Sequence, residues 1–272
     1  MTTKINEAGP VPRGFGQALR SLSSAQKTAK GAPAYSRFVN RKLGRVFAAL
    51  AYTMGLTPNQ VTAISALFSF AGIALLALVS PSVMTGVGVS VALILGYALD
   101  SADGQLARLR GGGSKSGEWL DHIIDCAKIS SLHSAMLIAC YRFFDLEHPA
   151  YLLVPMGFCV VAAVMFFGMI LNDQLRRVHQ ATTGVGPQEP AKPSTIRSLL
   201  VMPTDYGVLC LAFLLLGFQN LFFVVYTLLF AGNLLFLIAA LVKWFRDMSA
   251  LDTAPTARRE ERELVPSTAE GR

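Results

Sequence analysis

Residues 100–125 read DSADGQLARLRGGGSKSGEWLDHIID, four aspartates bracketing a basic, glycine-rich turn. Asp100 and Asp103 sit three apart at the end of the apolar run VSVALILGYAL, and Asp121 and Asp125 sit four apart at the start of the next apolar run. Spacings of three and four put each pair on one face of its helix. Only LRGGGSKS lies between Arg108 and Gly117, and its three consecutive glycines allow a tight reversal without Cβ clashes. The two helices therefore form an antiparallel hairpin that gathers all four carboxylates. Carboxylates at a membrane boundary are costly to desolvate, so four converging there require compensation by a metal or by each other.

The rest of the composition places that hairpin in a membrane. Of 272 residues 53% are hydrophobic and 15% charged, with mean hydropathy +0.47, too apolar for an ordinary soluble domain. Six apolar stretches, at 57–80, 84–107, 118–141, 150–172, 203–219 and 221–244, each approach the ~20 residues of a spanning helix. The fifth is the weakest, shortened by Pro203 and Asp205. The expected fold is all-α: a polytopic membrane protein of six transmembrane helices preceded by an amphipathic interfacial helix.

Lysines and arginines crowd the N-terminal tail, the second–third connection (Arg108, Arg110, Lys115), the fourth–fifth connection (Arg176, Arg177, Lys192, Arg197) and the C-terminal tail. The other side offers only Arg142. This asymmetry predicts that both termini and the aspartates are cytoplasmic; the membrane expected is a plasma membrane of bacterial type. The net charge of +7 thus reads as topology, and nucleic-acid binding is the poorer explanation. Cys126, Cys140, Cys159 and Cys210 fall inside the spans without a CxxC, and residues 1–30 carry no apolar core of a signal peptide.

Residues 1–33 mix Gly, Ser, Ala, Pro and Lys without periodicity and are expected to be a disordered cytoplasmic tail. Over 34–50 an apolar stripe (Tyr35, Phe38, Val39, Leu43, Val46, Phe47, Leu50) opposes Arg37, Arg41 and Arg45, the pattern of a helix lying on an anionic leaflet. Residues 51–247 are expected to form one six-helix transmembrane domain, which carries the aspartates and any catalytic function, and 248–272 a second disordered tail. In GLTPNQVT (55–62), Thr57 is the expected N-cap and Pro58 suits a first helical turn, with Asn59 at the same boundary as the aspartates. Asn172 and Asp173 are expected to end the fourth span, followed by a long connection to about residue 202.

Four aspartates without a histidine–cysteine set suit a hard cation, magnesium or manganese, which also binds substrate phosphates. Two ions on shared carboxylates clamp a pyrophosphate, and an aspartate left partly free accepts the proton of an attacking hydroxyl. Gly104 and Ala107 share the face of Asp100 and Asp103 and leave room for a flat ligand, while Arg108 stands one turn on to pair with phosphate. The alternative is a set of interfacial carboxylates paired with Arg108, Arg110, Lys115 and Lys128.

Written out, the run is Asp100-x-x-Asp103-Gly104-x-x-Ala107-Arg108, eight residues, Gly117-x-x-x-Asp121-x-x-x-Asp125. It resembles the signature of the CDP-alcohol phosphotransferases, membrane enzymes of phospholipid synthesis, with every signature position filled. The resemblance implies transfer of a substituted phosphate (phosphatidyl or phospho-headgroup) from a CDP-linked donor to an alcohol, releasing CMP. It implies that Asp100, Asp103, Asp121 and Asp125 coordinate two divalent metals, with Asp125 also the base. Gly104, Ala107, Arg108 and Gly117 would form the CDP pocket, with Asn59 on the cytidine side, and the protein would be a homodimer. GEWLDHIID is similar to the choline and ethanolamine phosphotransferases, which makes His122 a second candidate base; an interfacial histidine off the metal face is the other reading.

A phosphorylated acceptor needs a cationic cradle, for which Arg176, Arg177, Lys192 and Arg197 are candidates, although the orientation rule already accounts for them. Lys128 lies three after Asp125 on the carboxylate face and either neutralises an aspartate or contacts a phosphate. His133 reads as a satisfied bundle residue and Asp205 as a helix cap. Some members of the family resembled make soluble phosphodiesters. A divalent-cation transporter is the competing class, but it would spread acids through the depth of several spans, whereas here they concentrate at one face.

Overall fold

The computed structural model describes residues 14–24, 33–184 and 202–253, and every regular element among them is helical. In chain order these are α1 (Phe15–Ser24), α2 (a π-helical turn Ser36–Asn40 continuing as Arg41–Thr53), α3 (Pro58–Leu78), α4 (Val83–Leu109), α5 (Lys115–Phe143), α6 (Leu153–Thr183, led in by a 3-10 turn Pro149–Leu152), α7 (Tyr206–Ala212, preceded by a 3-10 turn Met202–Thr204 and extended by another, Phe213–Leu215) and α8 (Gln219–Thr253). Five of them, α3, α4, α5, α6 with its lead-in and α8, are long and apolar enough to cross a membrane.

Local chemistry explains where the helices start and turn. Thr57 caps α3: its hydroxyl accepts the Gln60 N–H at 3.3 Å, and the Gln60 side chain accepts the Thr57 N–H at 2.8 Å. Both donors would otherwise be orphans of the first turn, and Pro58 has none to lose. Ser114 caps α5 by accepting from the Gly117 N–H. Between them Gly111 (φ 96°) and Gly112 (φ 132°) take the left-handed conformations that the reversal requires.

Small residues set how closely the helices approach. A Cβ on Gly96 of α4 would collide with Ser69 of α3, and Ser65 donates to the Gly96 carbonyl at 2.8 Å. Close approach of small residues with a hydroxyl across the seam is how apolar helices associate where lipid is as apolar as leucine. The main core joins Leu93, Leu132, Met136, Phe213, Phe222 and Tyr226 from α4, α5, the end of α7 and α8. His133 is satisfied inside it, its Nδ1 2.7 Å from the Tyr226 hydroxyl and its ring stacked on Phe158.

Four expectations need correction. Residues 15–24 are helical: Ala18 and Leu22 of α1 are buried against Ala48, Ala49, Ala102 and Leu106 of α2 and α4, so a short stripe in a polar tail has a surface to cover. The fourth long helix does not stop at Asn172–Asp173 but runs to Thr183, where Gly184 (φ 70°) ends it as a left-handed cap. The last helix passes residue 248 and ends at Thr253. The stretch 203–219 is a shorter apolar helix, Tyr206–Leu215, begun late by the Asp205 cap and packed so tightly at its end that a Cβ on Gly86 would stand 2.6 Å from the Phe213 carbonyl.

On α2 the large apolar residues Phe38, Val39, Leu43, Val46 and Leu50 all face outward, and the buried face is Asn40, Gly44, Ala48 and Ala51. Gly44 permits this seat, because a Cβ there would meet Ser101 Oγ of α4 at 2.7 Å and Gln105 Nε2 at 2.9 Å.

Candidate active site and metal centre

The C-terminal end of α4 and the N-terminal end of α5 bring the acidic residues to one place. Carboxylate oxygens of Asp100, Asp103 and Asp121 lie within 4.8 Å of one another. Asp103 is buried, and Thr62 of α3, also buried, donates its hydroxyl to Asp103 Oδ2 at 2.6 Å. Asp125 joins this cluster through a cation: Lys128 Nζ is 2.5 Å from Asp100 Oδ1 and 2.6 Å from Asp125 Oδ1. Three like charges this close in a half-buried site repel one another unless protons or a cation intervene. Their donors are all oxygen, which fits magnesium or manganese and not a soft metal.

The residues expected around a nucleotide surround the same end of the hairpin. A Cβ on Gly117 would meet Asn59 Oδ1 at 3.1 Å, so Asn59 of α3 stands over the start of α5. At Gly104 a Cβ would meet only Arg108 Nη1, at 3.6 Å, leaving open space on the carboxylate face. Ala107 lies against Gly113 of the turn, and Arg108 is half-buried within electrostatic reach of Asp103 and of Arg41 on α2. His122 leaves this group: its ring meets Phe166 of α6 edge-on, with Nδ1 3.9 Å from Asp121 Oδ2.

Of the residues expected to cradle a phosphorylated acceptor, the two that are described, Arg176 and Arg177, stand in ion pairs. Arg176 pairs with Asp247 at 2.6 Å, and Arg177 pairs with Glu118 at 2.6 Å and Asp173 at 2.7 Å, all largely exposed. Such pairs add little stability, yet they occupy the guanidinium forks that a phosphate would need. Lys192 and Arg197 lie outside the described residues.

Two contributions escaped the sequence reading: the Thr62 hydroxyl, and a second role of Asp205 beyond the helix cap expected of it. Thr62 sits inside GLTPNQVT one turn after the Pro58 start, but its partner is forty-one residues away. Asp205 caps α7 through the Gly207 N–H at 3.1 Å, and its other oxygen accepts the Tyr35 and Ser36 N–H groups at 2.7 and 3.2 Å. Tyr35 stacks on Tyr97, which meets Tyr206 edge-on, while Asn40 donates to the Tyr97 carbonyl at 3.3 Å. One carboxylate thus fastens the start of α2 to α7, and the Tyr35–Tyr97 stack and the Asn40 bond tie it to the turn of α4 that precedes Asp100.

No curated protein matches the chain. The sequence model described as CDP-alcohol phosphatidyltransferase matches residues 55–245, which takes in α3 to α7, all four aspartates and most of α8. Enzymes of that family (EC 2.7.8) transfer a substituted phosphate from a CDP-alcohol donor to an alcohol acceptor. A match over this range, with the metal-competent aspartate cluster at the head of its hairpin, shows that the chain belongs to the CDP-alcohol phosphatidyltransferase family.

Proposed function

We propose that the carboxylate end of the α4–α5 hairpin is where the CDP-linked donor and the alcohol meet, and that the reaction serves phospholipid biosynthesis at the cytoplasmic face of a bilayer. The observation that carries this is the convergence of Asp100, Asp103 and Asp121 beside the open face at Gly104. When bound, magnesium or manganese offsets the carboxylate charge and polarises the phosphates of the donor. Asp100, Asp103 and Asp121 would hold the first ion, with Thr62 fixing the Asp103 carboxylate, and the fourth carboxylate supplies what a second ion requires.

The remaining roles belong to the protein's own side chains. Asn59 and Gly117 line the cytidine side, the bare backbone at Gly104 and the small Ala107 admit the nucleotide, and Arg108 pairs with pyrophosphate oxygens. Asp125 accepts the proton of the acceptor hydroxyl as that oxygen bonds to the donor phosphorus. The bond from this phosphorus to the CMP oxygen breaks, and CMP leaves with the electron pair. His122, directed at Phe166, is the weaker candidate for the base.

The proposal includes six crossings. Asp205, at the start of α7, is bonded to the α2 amides, while Gly217 beyond its end packs on Val83 at the far end of α4. From Tyr97 to Val83 along α4 is about 21 Å at 1.5 Å per residue. That is about two-thirds of a ~30 Å hydrocarbon core, and we read the short helix with its flanking turns as a sixth crossing, which returns the C-terminus to the side of the aspartates; the basic tails make that side cytoplasmic. A homodimer belongs to the same reading.

CMP release by purified protein tests the substrates, with CDP-diacylglycerol and CDP-headgroup donors each paired with a panel of alcohols under magnesium. Release that depends on one phospholipid-forming pair is the expected result. Release only with pairs that yield soluble phosphodiesters would remove the lipid assignment.

A further inference from the structure

Lys128 is the one lysine among the described residues that is buried, and it is buried between two of the four aspartates. Its side chain is 8% exposed, and its ammonium bridges Asp100 on α4 to Asp125 on α5. A desolvated ammonium is tolerated only where acceptors meet its protons, and both acceptors here are carboxylates at hydrogen-bonding distance. The chain therefore already supplies a positive charge at the Asp100–Asp125 position, while neither Asp103 nor Asp121 forms an ion pair with Lys128.

Charge counting gives this arrangement a consequence. With Arg108 set aside for the donor's phosphates, four carboxylates and one ammonium leave three net negative charges. One divalent ion at the three-carboxylate cluster reduces that to a single negative charge, and a second would leave the half-buried site positive. The diphosphate of a CDP-linked donor brings the negative charge that makes a second ion favourable. Without Lys128, two divalent ions would balance four carboxylates with no donor present.

We propose that Lys128 is a built-in counter-ion that holds Asp125 and Asp100 against a second divalent cation, so that the site fills in order: one ion first, the second only with the donor's diphosphate. This rests on the reading of the aspartates as metal ligands. Lys128 is a positioning residue for the base as well, because it fixes Asp125 until the donor arrives.

The test counts bound Mn2+ by electron paramagnetic resonance on the purified full-length protein, with CDP as the nucleotide probe. The wild type is expected to bind one ion per chain without CDP and two with it, and Lys128→Met two without CDP. Two equivalent ions on the wild type without CDP would overturn the proposal, as would a Lys128→Met protein that still binds only one. Should Lys128→Met fail to fold, Lys128→Gln is counted in its place, with two ions expected without CDP and a single ion overturning the proposal. No Mn2+ bound in any form would be a different failure, that of the metal-site reading itself.

Discussion

Replacing Thr62 by valine isolates what a single buried hydroxyl does for the metal centre. Thr62 is 4% exposed, and its one proton has two acceptors in reach, Asp103 Oδ2 at 2.6 Å and the Pro58 carbonyl at 3.1 Å. The shorter contact to the charged acceptor takes it. Valine keeps the shape and removes only the donor, leaving Asp103, itself 6% exposed, free to turn and short of a partner. A hydrogen bond to a charged group contributes about 1.5–3 kcal/mol. At ~1.4 kcal/mol per decade, that corresponds to a loss of roughly 10- to 100-fold in affinity for the ion Asp103 helps to hold, the usual range for groups that orient a ligand. A Mn2+ titration followed by electron paramagnetic resonance reads the affinity, and a melting curve with saturating Mn2+ checks the fold. Thr62→Ser, which keeps the hydroxyl, is expected to stay near wild type. Wild-type Mn2+ affinity in a folded Thr62→Val protein would refute the claim that this bond positions a ligand.

Three further outcomes follow from named contacts. Arg108→Ala is expected to weaken CDP binding on the order of tenfold through loss of a charge-assisted pairing, measurable by calorimetric titration. Gly44→Leu lowers the melting temperature and exposes α2 to protease, because even a Cβ at Gly44 stands 2.7 Å from Ser101 Oγ; an unchanged melting curve would contradict the seat described for α2. Asp205→Ala loses a cap, which costs about 0.5–2 kcal/mol, and frees the Tyr35 and Ser36 amides, so faster hydrogen exchange at those two positions is expected.

What was legible in the sequence was what local spacing controls. The aspartate hairpin, the Thr57 cap and the glycine reversal depend on residues within a few positions of one another, and the long apolar helices depend on length and composition. What was not legible depended on partners far along the chain. Phe15, Ala18, Leu19 and Leu22 form a stripe too short to stand out in a Gly- and Ser-rich tail, and α1 is a helix because α2 and α4 offer it a surface. Nothing in GLTPNQVT distinguishes Thr62 from its neighbours until α3 lies against α4. Lys128 was visible as a charge on the carboxylate face, but its bridge between Asp100 and Asp125 follows from how α4 and α5 pair. The fifth apolar stretch was too short to decide by hydropathy; its extent is set by the Asp205 cap at one end and by Gly86 and Gly217 at the other.

The most direct test of the central claim is CMP release by the wild type, by the wild type stripped of divalent ions with chelator, and by Asp100→Asn, Asp103→Asn, Asp121→Asn and Asp125→Asn proteins of verified fold. The account predicts acceptor-dependent release that stops on chelation, returns with magnesium, and is lost in all four variants. Release that survives chelation, or persists in any of the four, would contradict it.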